Sequence, residues 1–276
     1  MPSRDFHSDQ AIVLEGVRKE VIEVVKNDGY MLRLADEKLK ADYEIVLAAV
    51  KSTGHALTYV DEKLKSDREV VLEAVKLDGY ALCYVDKKLK SDRQVVLEAV
   101  KSSGVSLKFA DEIFVSDREV ILKAVQSEPH ILKFADNKFS SDREIILKAV
   151  MRNGLSIQYA KENLRADREI VLEAVRSNGY AIKHVDRKFK SDREIVLEAV
   201  KSKGQALAYV YKKFKSDREI VLEAVKQSGD ALEYASEELR ADREVVLEAL
   251  KTGSDLIRFA NKILKEELEQ EGLLNK

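Results

Sequence analysis

A strict 25-residue period governs this chain. The segment Ser66-Asp67-Arg68-Glu69-Val70-Val71-Leu72-Glu73-Ala74-Val75-Lys76 returns almost unchanged at Ser91, Ser116, Ser141, Ser191 and Ser216, and with alanine opening it at Ala41, Ala166 and Ala241. No insertion interrupts the spacing, so the repeated unit is the building block of any fold the chain adopts. A unit this short cannot bury its own apolar side chains, and adjacent copies must supply each other's core. With only 2 prolines and no tryptophan, and with apolar residues spaced as on helices, the pattern predicts an all-α fold. The expected architecture is a right- or left-handed α-solenoid of about ten two-helix repeats.

Within a unit, Ser66 and Glu69 have the spacing of a capping box, which places the start of one helix at Ser66. The glycine column Gly29, Gly54, Gly79, Gly104, Gly154, Gly179, Gly204 and Gly229 is expected to close that helix in a left-handed C-cap. Pro129 occupies the column once and should alter the turn after Glu128. A first helix should run from the glycine to the Lys40 column, with Leu32, Ala35 and Leu39 along its buried stripe. The second helix is apolar at Ile45, Val46, Leu47, Ala49 and Val50, enough to touch its partner and both neighbouring units. An aromatic column, Tyr59, Tyr84, Phe109, Phe134, Tyr159, Tyr209, Tyr234 and Phe259, with His184 once, reads as packing between neighbours rather than a ligand-stacking ladder.

The ends depart from the pattern. Asp9 to Val17 copies the second-helix motif, and Arg18 to Asn27 reads as out of register by eight residues. The expected division is therefore a capping helix and degenerate first unit over 1–28, tandem repeats over 29–261, and a polar C-terminal capping helix over 262–276.

The string Ala166-Asp167-Arg168-Glu169-Ile170-Val171-Leu172-Glu173-Ala174-Val175, followed by Asn178-Gly179-Tyr180-Ala181-Ile182, resembles the microbial repeat family called domain of unknown function 4116. The resemblance covers roughly residues 19 to 264. It implies tandem helical repeats without an assigned activity, catalytic residue or cofactor, so no functional residue carries over. Pro129, Tyr211 in place of the usual Asp, and the first unit depart from the family pattern.

Catalysis needs one unique constellation, and a pair such as Glu69/Glu73 that recurs in most units reads as a solvated face. The four histidines lie in separate units without metal-ligand spacing, so neither enzyme activity, a metal nor a cofactor is expected. The single Cys83 permits no internal disulfide. No signal-peptide core opens the chain, and no apolar run approaches the roughly 20 residues that span a bilayer, so an intracellular, cytoplasmic protein is expected.

Two columns invite a binding role. Arg68, Arg93, Arg118, Arg143, Arg168, Arg193, Arg218 and Arg243 fall in a helix first turn, where a cation is disfavoured by roughly 0.3–1 kcal/mol. Either Asp and Glu of the adjacent unit compensate them, or they form an anion stripe with upstream lysines such as Lys63 and Lys65. Net charge of −2 argues against a nucleic-acid edge. The second candidate is where units disagree. The residue after the glycine and the one three later vary freely: Tyr30/Arg33, His55/Thr58, Tyr80/Cys83, Val105/Lys108, His130/Lys133, Leu155/Gln158, Tyr180/Lys183, Gln205/Ala208, Asp230/Glu233 and Asp255/Arg258. Each pair shares one helix face and, stacked, would form a stripe for an extended peptide or protein partner. Single-stranded nucleic acid and a purely structural spacer are the alternatives.

Overall fold

The computed structural model describes residues 6–272, all-α among them, and the tandem array resolves into two compact units, 1–135 and 136–276. Both are built from the same repeat. Its backbone is a ten-residue α-helix such as Arg68–Leu77 or Arg168–Ser177, then a 3-10 turn that opens at the glycine column, such as Gly79–Tyr84, then a second short turn. Val70, Val71, Ala74 and Val75 are fully buried, as are Ile45, Val46, Ala49 and Val50, while Leu47 is half-buried. These residues form more than a single stripe because the helix is covered from several sides, and they supply the apolar area that drives stacking.

The helix start differs from the capping-box expectation. Asp67, not Ser66, is the N-cap, its carboxylate accepting from the backbone N–H groups of Glu69 and Val70 at 3.0 Å each. Ser66 ends the preceding 3-10 turn, which displaces it from the cap. A carboxylate at this point satisfies open donors and favours the positive end of the helix dipole together. Glu69 is thereby free to face the preceding unit.

The glycine column is also corrected. Among the described residues only Gly272 has a left-handed backbone, at φ 70°. The column instead marks close approach between units. A Cβ built on Gly154 would stand 2.0 Å from the carbonyl oxygen of Ala174, twenty residues on. The Gly154 N–H donates to the Ser177 hydroxyl at 3.1 Å, so the seam is hydrogen-bonded as well as tight.

The first half of the unit is helical but divided. Gly29–Leu34 forms a 3-10 turn, Ala35 is extended at ψ 154°, and a four-residue helix, Glu37–Lys40, follows. Asp36 makes the break by capping this helix through the Leu39 N–H at 2.9 Å. At the break the backbone reaches across units, as Asp61 N–H donates to Lys40 O at 3.1 Å and Asp186 N–H to Arg165 O at 3.0 Å. At Pro129 the turn Pro129–Lys133 ends one residue early, with Phe134 in the right-handed helical region. The Gly179–Lys183 turn does the same before His184, so proline is not the sole cause of the shortening.

At the N-terminus, Phe6–Asn27 is one continuous helix of 22 residues. Its second part is in register, contrary to the sequence reading. Arg18 stands 25 residues before Tyr43 and 50 before Arg68, and it bonds Asp42 at 2.7 Å and Glu44 at 2.7 Å as the column arginines bond their own partners. The Asp9–Val17 copy is the displaced one. At the other end the helix is Lys262–Gln270, with Leu264 and Leu268 buried. The remainder of the expected C-terminal cap, from Leu273 on, lies outside the described residues, as do residues 1–5.

Candidate partner-binding stripe

Each variable pair sits on a 3-10 turn, where residues three apart eclipse one another more closely than on an α-helix. The structure places Tyr30, Arg33, Tyr80, Lys108, His130, Lys133, Gln158, Lys183 and Glu233 at exposed positions. His55, Thr58, Val105, Leu155, Tyr180, Gln205 and Asp230 are half-buried. None is in the core. Between the members of most pairs lie buried residues of the same turn, such as the fully buried Ala81 and Leu82 between Tyr80 and Cys83, which anchor the outward-facing side chains.

The aromatic column lies beside this stripe rather than beneath it. Phe134 is 49% exposed and Tyr209 38%, and most of the others are half-buried. Tyr84, Phe109, Phe134 and Tyr209 are each met by a stripe residue of the preceding repeat. In the first compact unit His55 stands edge-on to Tyr84 at 5.2 Å between centroids, Tyr80 to Phe109 at 4.9 Å, and the Lys108 ammonium lies 4.9 Å from the Phe134 centroid. In the second unit Tyr180 stands edge-on to Tyr209 at 6.3 Å, and Lys183 lies 5.6 Å from the same ring. Edge-on rings and cations over ring faces are favourable because the face of an aromatic ring is negative and its edge positive. The expected packing between neighbours is therefore present, at the surface. Near Asp230 the character changes to acidic, with Arg258 at 4.0 Å from Asp230 and 2.5 Å from Asp255.

The arginine edge is occupied. Arg93 bonds Asp117 at 2.9 Å and Glu119 at 2.6 Å, Arg143 bonds Asp167 at 3.2 Å and Glu169 at 2.5 Å, and Arg193 bonds Glu219 at 2.5 Å. Arg68 reaches Asp92 at 2.9 Å and Gln94 at 2.7 Å, Arg168 reaches Glu194, Arg218 reaches Asp242 and Glu244, and Arg243 reaches Glu271. For all of these but Arg243, the partner lies one repeat on, at the N-cap Asp or at the Glu or Gln two residues after it, whereas Arg243 turns to Glu271 after the last helix. The cations at Arg68, Arg93, Arg143, Arg168, Arg193 and Arg218 are thus compensated at the start of the next helix. Tyr43 takes the arginine position once, and its hydrogen bond to Glu69 pushes its phenol up to about 12. The lysines upstream differ in role. Lys90 and Lys215 donate back to the carbonyls of Cys83 and Ala208, and Lys65 pairs with Glu62, while Lys63 is exposed.

This ladder should make the protein acid-sensitive. The guanidinium hydrogen bond holds Asp42, Asp92 and Asp242 below the ordinary carboxylate range against opposing burial, and the N-cap backbone N–H groups assist. At Asp117 and Asp167 burial pushes upward and is outweighed by the same two contacts. A carboxylate depressed in the folded state contributes stability that is complete above its unfolded value of about 3.9 and is lost as pH falls through the lower folded value. The urea midpoint should therefore be flat from pH 7 to about 5 and fall below about 4. Arg93→Gln, which removes a charged partner, should make that fall shallower. An unchanged midpoint between pH 5 and pH 3 would show the ladder to be inert.

The fold and surface define an all-α tandem-repeat protein. The chain belongs to the family described as Domain of unknown function (DUF4116), whose model matches residues 18–65, 67–115, 117–165, 167–215 and 217–265. Each match spans two repeats, and the first begins at Arg18, in agreement with the register found at the N-terminus. Comparison with curated proteins and with solved structures finds no match. No helix among the described residues is long and apolar enough to cross a membrane.

Proposed function

We propose that the protein is a non-enzymatic scaffold that binds an extended peptide or protein partner along the variable stripe. The observation that carries this reading is the meshing of variable Tyr, His and Lys side chains with half-exposed aromatic rings one repeat on. A surface facing only water gains little from rings and ammonium groups held in place by each other. A partner gains a pre-ordered set of anchors, since rings already fixed lose little entropy on binding. Repetition gives the stripe length, and variation from unit to unit gives it the means to distinguish sequences.

The same ordering disfavours the alternative of single-stranded nucleic acid on the arginine edge, because those guanidinium groups already face carboxylates. A phosphate backbone would have to displace them. Reading the edge as structural also leaves the stripe as the surface with unassigned chemistry.

The test compares the parent chain with a variant carrying Tyr80→Ala, Lys108→Ala, His130→Ala and Tyr180→Ala. All four residues lie outside the core, so the variant should remain folded at the assay temperature. Capture of a protein partner from source lysate should fall about tenfold or more, and nuclease should not affect the parent's capture. Equal capture by parent and variant defeats the stripe. Capture abolished by nuclease and steeply weakened by salt would transfer the function to nucleic acid.

A further inference from the structure

We propose that the cleft formed by residues 162–187 of the second compact unit is a binding site for a phosphate monoester. The cleft encloses about 430 Å³ and is lined by Glu162, Arg165, His184, Val185, Asp186 and Arg187. Its size suits a phosphorylated side chain or a small phosphorylated molecule.

Arg165 is the central observation. It stands in the Lys40 column, where Lys90, Lys190 and Lys215 donate to backbone carbonyls seven residues back, Lys190 to Lys183 O at 2.9 Å and Lys215 to Ala208 O at 3.1 Å, while Lys40 and Lys65 pair with the glutamate three residues back. Arginine at this position makes no such bond. Its Nε is buried without a hydrogen-bond partner, as is that of Arg240 in the same column, but Arg240 has Glu237 at 4.0 Å, whereas neither Arg165 nor Arg187 forms an ion pair among the described residues. That sets them apart from the column arginines, each of which has a carboxylate to answer it wherever its contacts are described. A buried N–H without an acceptor is costly, and a guanidinium is shaped to receive two oxygens of one tetrahedral anion.

The surroundings add positive potential. His184 takes the place of the aromatic ring found in the other repeats, and its imidazole is held in the neutral form more strongly than usual, first by burial and then by Lys183, Lys190 and Arg165. Lys190 is in turn lowered by burial and by Arg187. These cations raise one another's energy, and an anion among them would relieve that repulsion. Glu162 and Asp186 also line the wall, but neither carboxylate is within ion-pair distance of either arginine. The surplus is met better by a phosphate monoester, with a charge of about −1.5 to −2 at pH 7, than by a single carboxylate. The site stands whether or not the stripe holds a partner.

The experiment titrates the full chain at low ionic strength with inorganic phosphate, with a phosphoserine peptide and with the unphosphorylated peptide, by calorimetry. Saturable binding of phosphate or phosphopeptide is expected, weakened about tenfold or more by Arg187→Gln and by Arg165→Gln and unaffected by Arg168→Gln. Arg187 is exposed, so its variant keeps the test valid even if Arg165→Gln unfolds. The His184 ring should titrate at higher pH in the presence of the bound anion, which NMR reads directly. Phosphopeptide bound much more tightly than free phosphate identifies a protein source, and equal affinity identifies a small molecule; both support the site. No saturable binding up to about 10 mM, equal binding of the unphosphorylated peptide, unchanged affinity in Arg187→Gln, or binding only of an oligonucleotide overturns it.

Discussion

Gly154→Ala should destabilise the protein by roughly 3 kcal/mol or more, although it adds a single methyl group. The usual reason for a glycine at a turn does not apply, since its backbone is not left-handed. The new Cβ would meet the Ala174 carbonyl oxygen at 2.0 Å, with the Asn178 nitrogen at 2.8 Å and the Ala174 carbonyl carbon at 3.0 Å behind it. All three are backbone atoms of the neighbouring repeat, so no rotamer change makes room. Only separation of the two repeats does, and that stretches the Gly154 N–H bond to Ser177 and uncovers the fully buried Ile170 and Ala174. Because repeat arrays are held by nearest-neighbour interfaces, a weakened seam should also split one cooperative urea transition into two. Gly16→Ala provides the control. It lies in the Phe6–Asn27 helix with nothing within 4 Å of the added carbon, and it should gain roughly 0.5–1 kcal/mol from helix propensity. If both variants share the parent's midpoint, the close approach at the glycine column has no energetic weight.

The period, the helical class and the buried face of the ten-residue helix were legible because they depend on spacing and hydrophobicity, which repetition displays directly. Caps were less legible. Ser66 and Asp67 are adjacent and both are good N-caps, and the choice between them depended on a preceding 3-10 turn that hydrophobic periodicity does not mark. The glycine column was recognised as punctuation but given the wrong cause, since a left-handed turn and a close approach both exclude a side chain. Only the position of the Ala174 carbonyl distinguishes them. The break inside the first half of the unit had a signal in the Asp36 column, which repeats just before each second turn in most units. The shift at Arg18 could have been found by counting back 25 residues from Tyr43 to Arg18, rather than following the better-matched letters at Asp9.

The pairing of the column arginines with acidic columns is one of two readings the sequence allows, and the distances decide it because the 24- and 26-residue offsets recur at Arg18, Arg68, Arg93, Arg143, Arg168, Arg193 and Arg218. The variable residues lie outside the core, but their contact with the aromatic column was not legible, because it joins a ring of one repeat to a side chain of the repeat before it, as Tyr80 meets Phe109 and Lys108 meets Phe134. Arg165 is not legible in the sequence for another reason. As one cation in a column of cations it looks ordinary, and its missing partner becomes apparent only when the bonds of Lys190 and Lys215 are compared with it.

A peptide of residues 167–191, one whole repeat, should be unfolded in water. It contains the Arg168–Ser177 helix, the Gly179–Lys183 turn and the Arg187–Ser191 turn, so its local signals are complete. Its partners are not. Asp186 N–H bonds Arg165 O, Gly179 N–H bonds the Ser202 hydroxyl, Arg168 bonds Glu194, and Asp167 receives Arg143, and every one of those acceptors or donors lies outside the peptide. The helix is also shorter than the roughly 12–15 residues at which even good helix formers become marginal alone. Its fully buried Ile170, Val171, Ala174 and Val175 would face water. Circular dichroism should therefore show a coil spectrum without a melting transition, whereas the fragment 136–276, a compact unit with several seams intact, should melt cooperatively. A helical, cooperatively melting 25-residue peptide would mean that each repeat holds itself together, and the stacking that positions both the stripe and the Arg165 cleft would lose its physical basis.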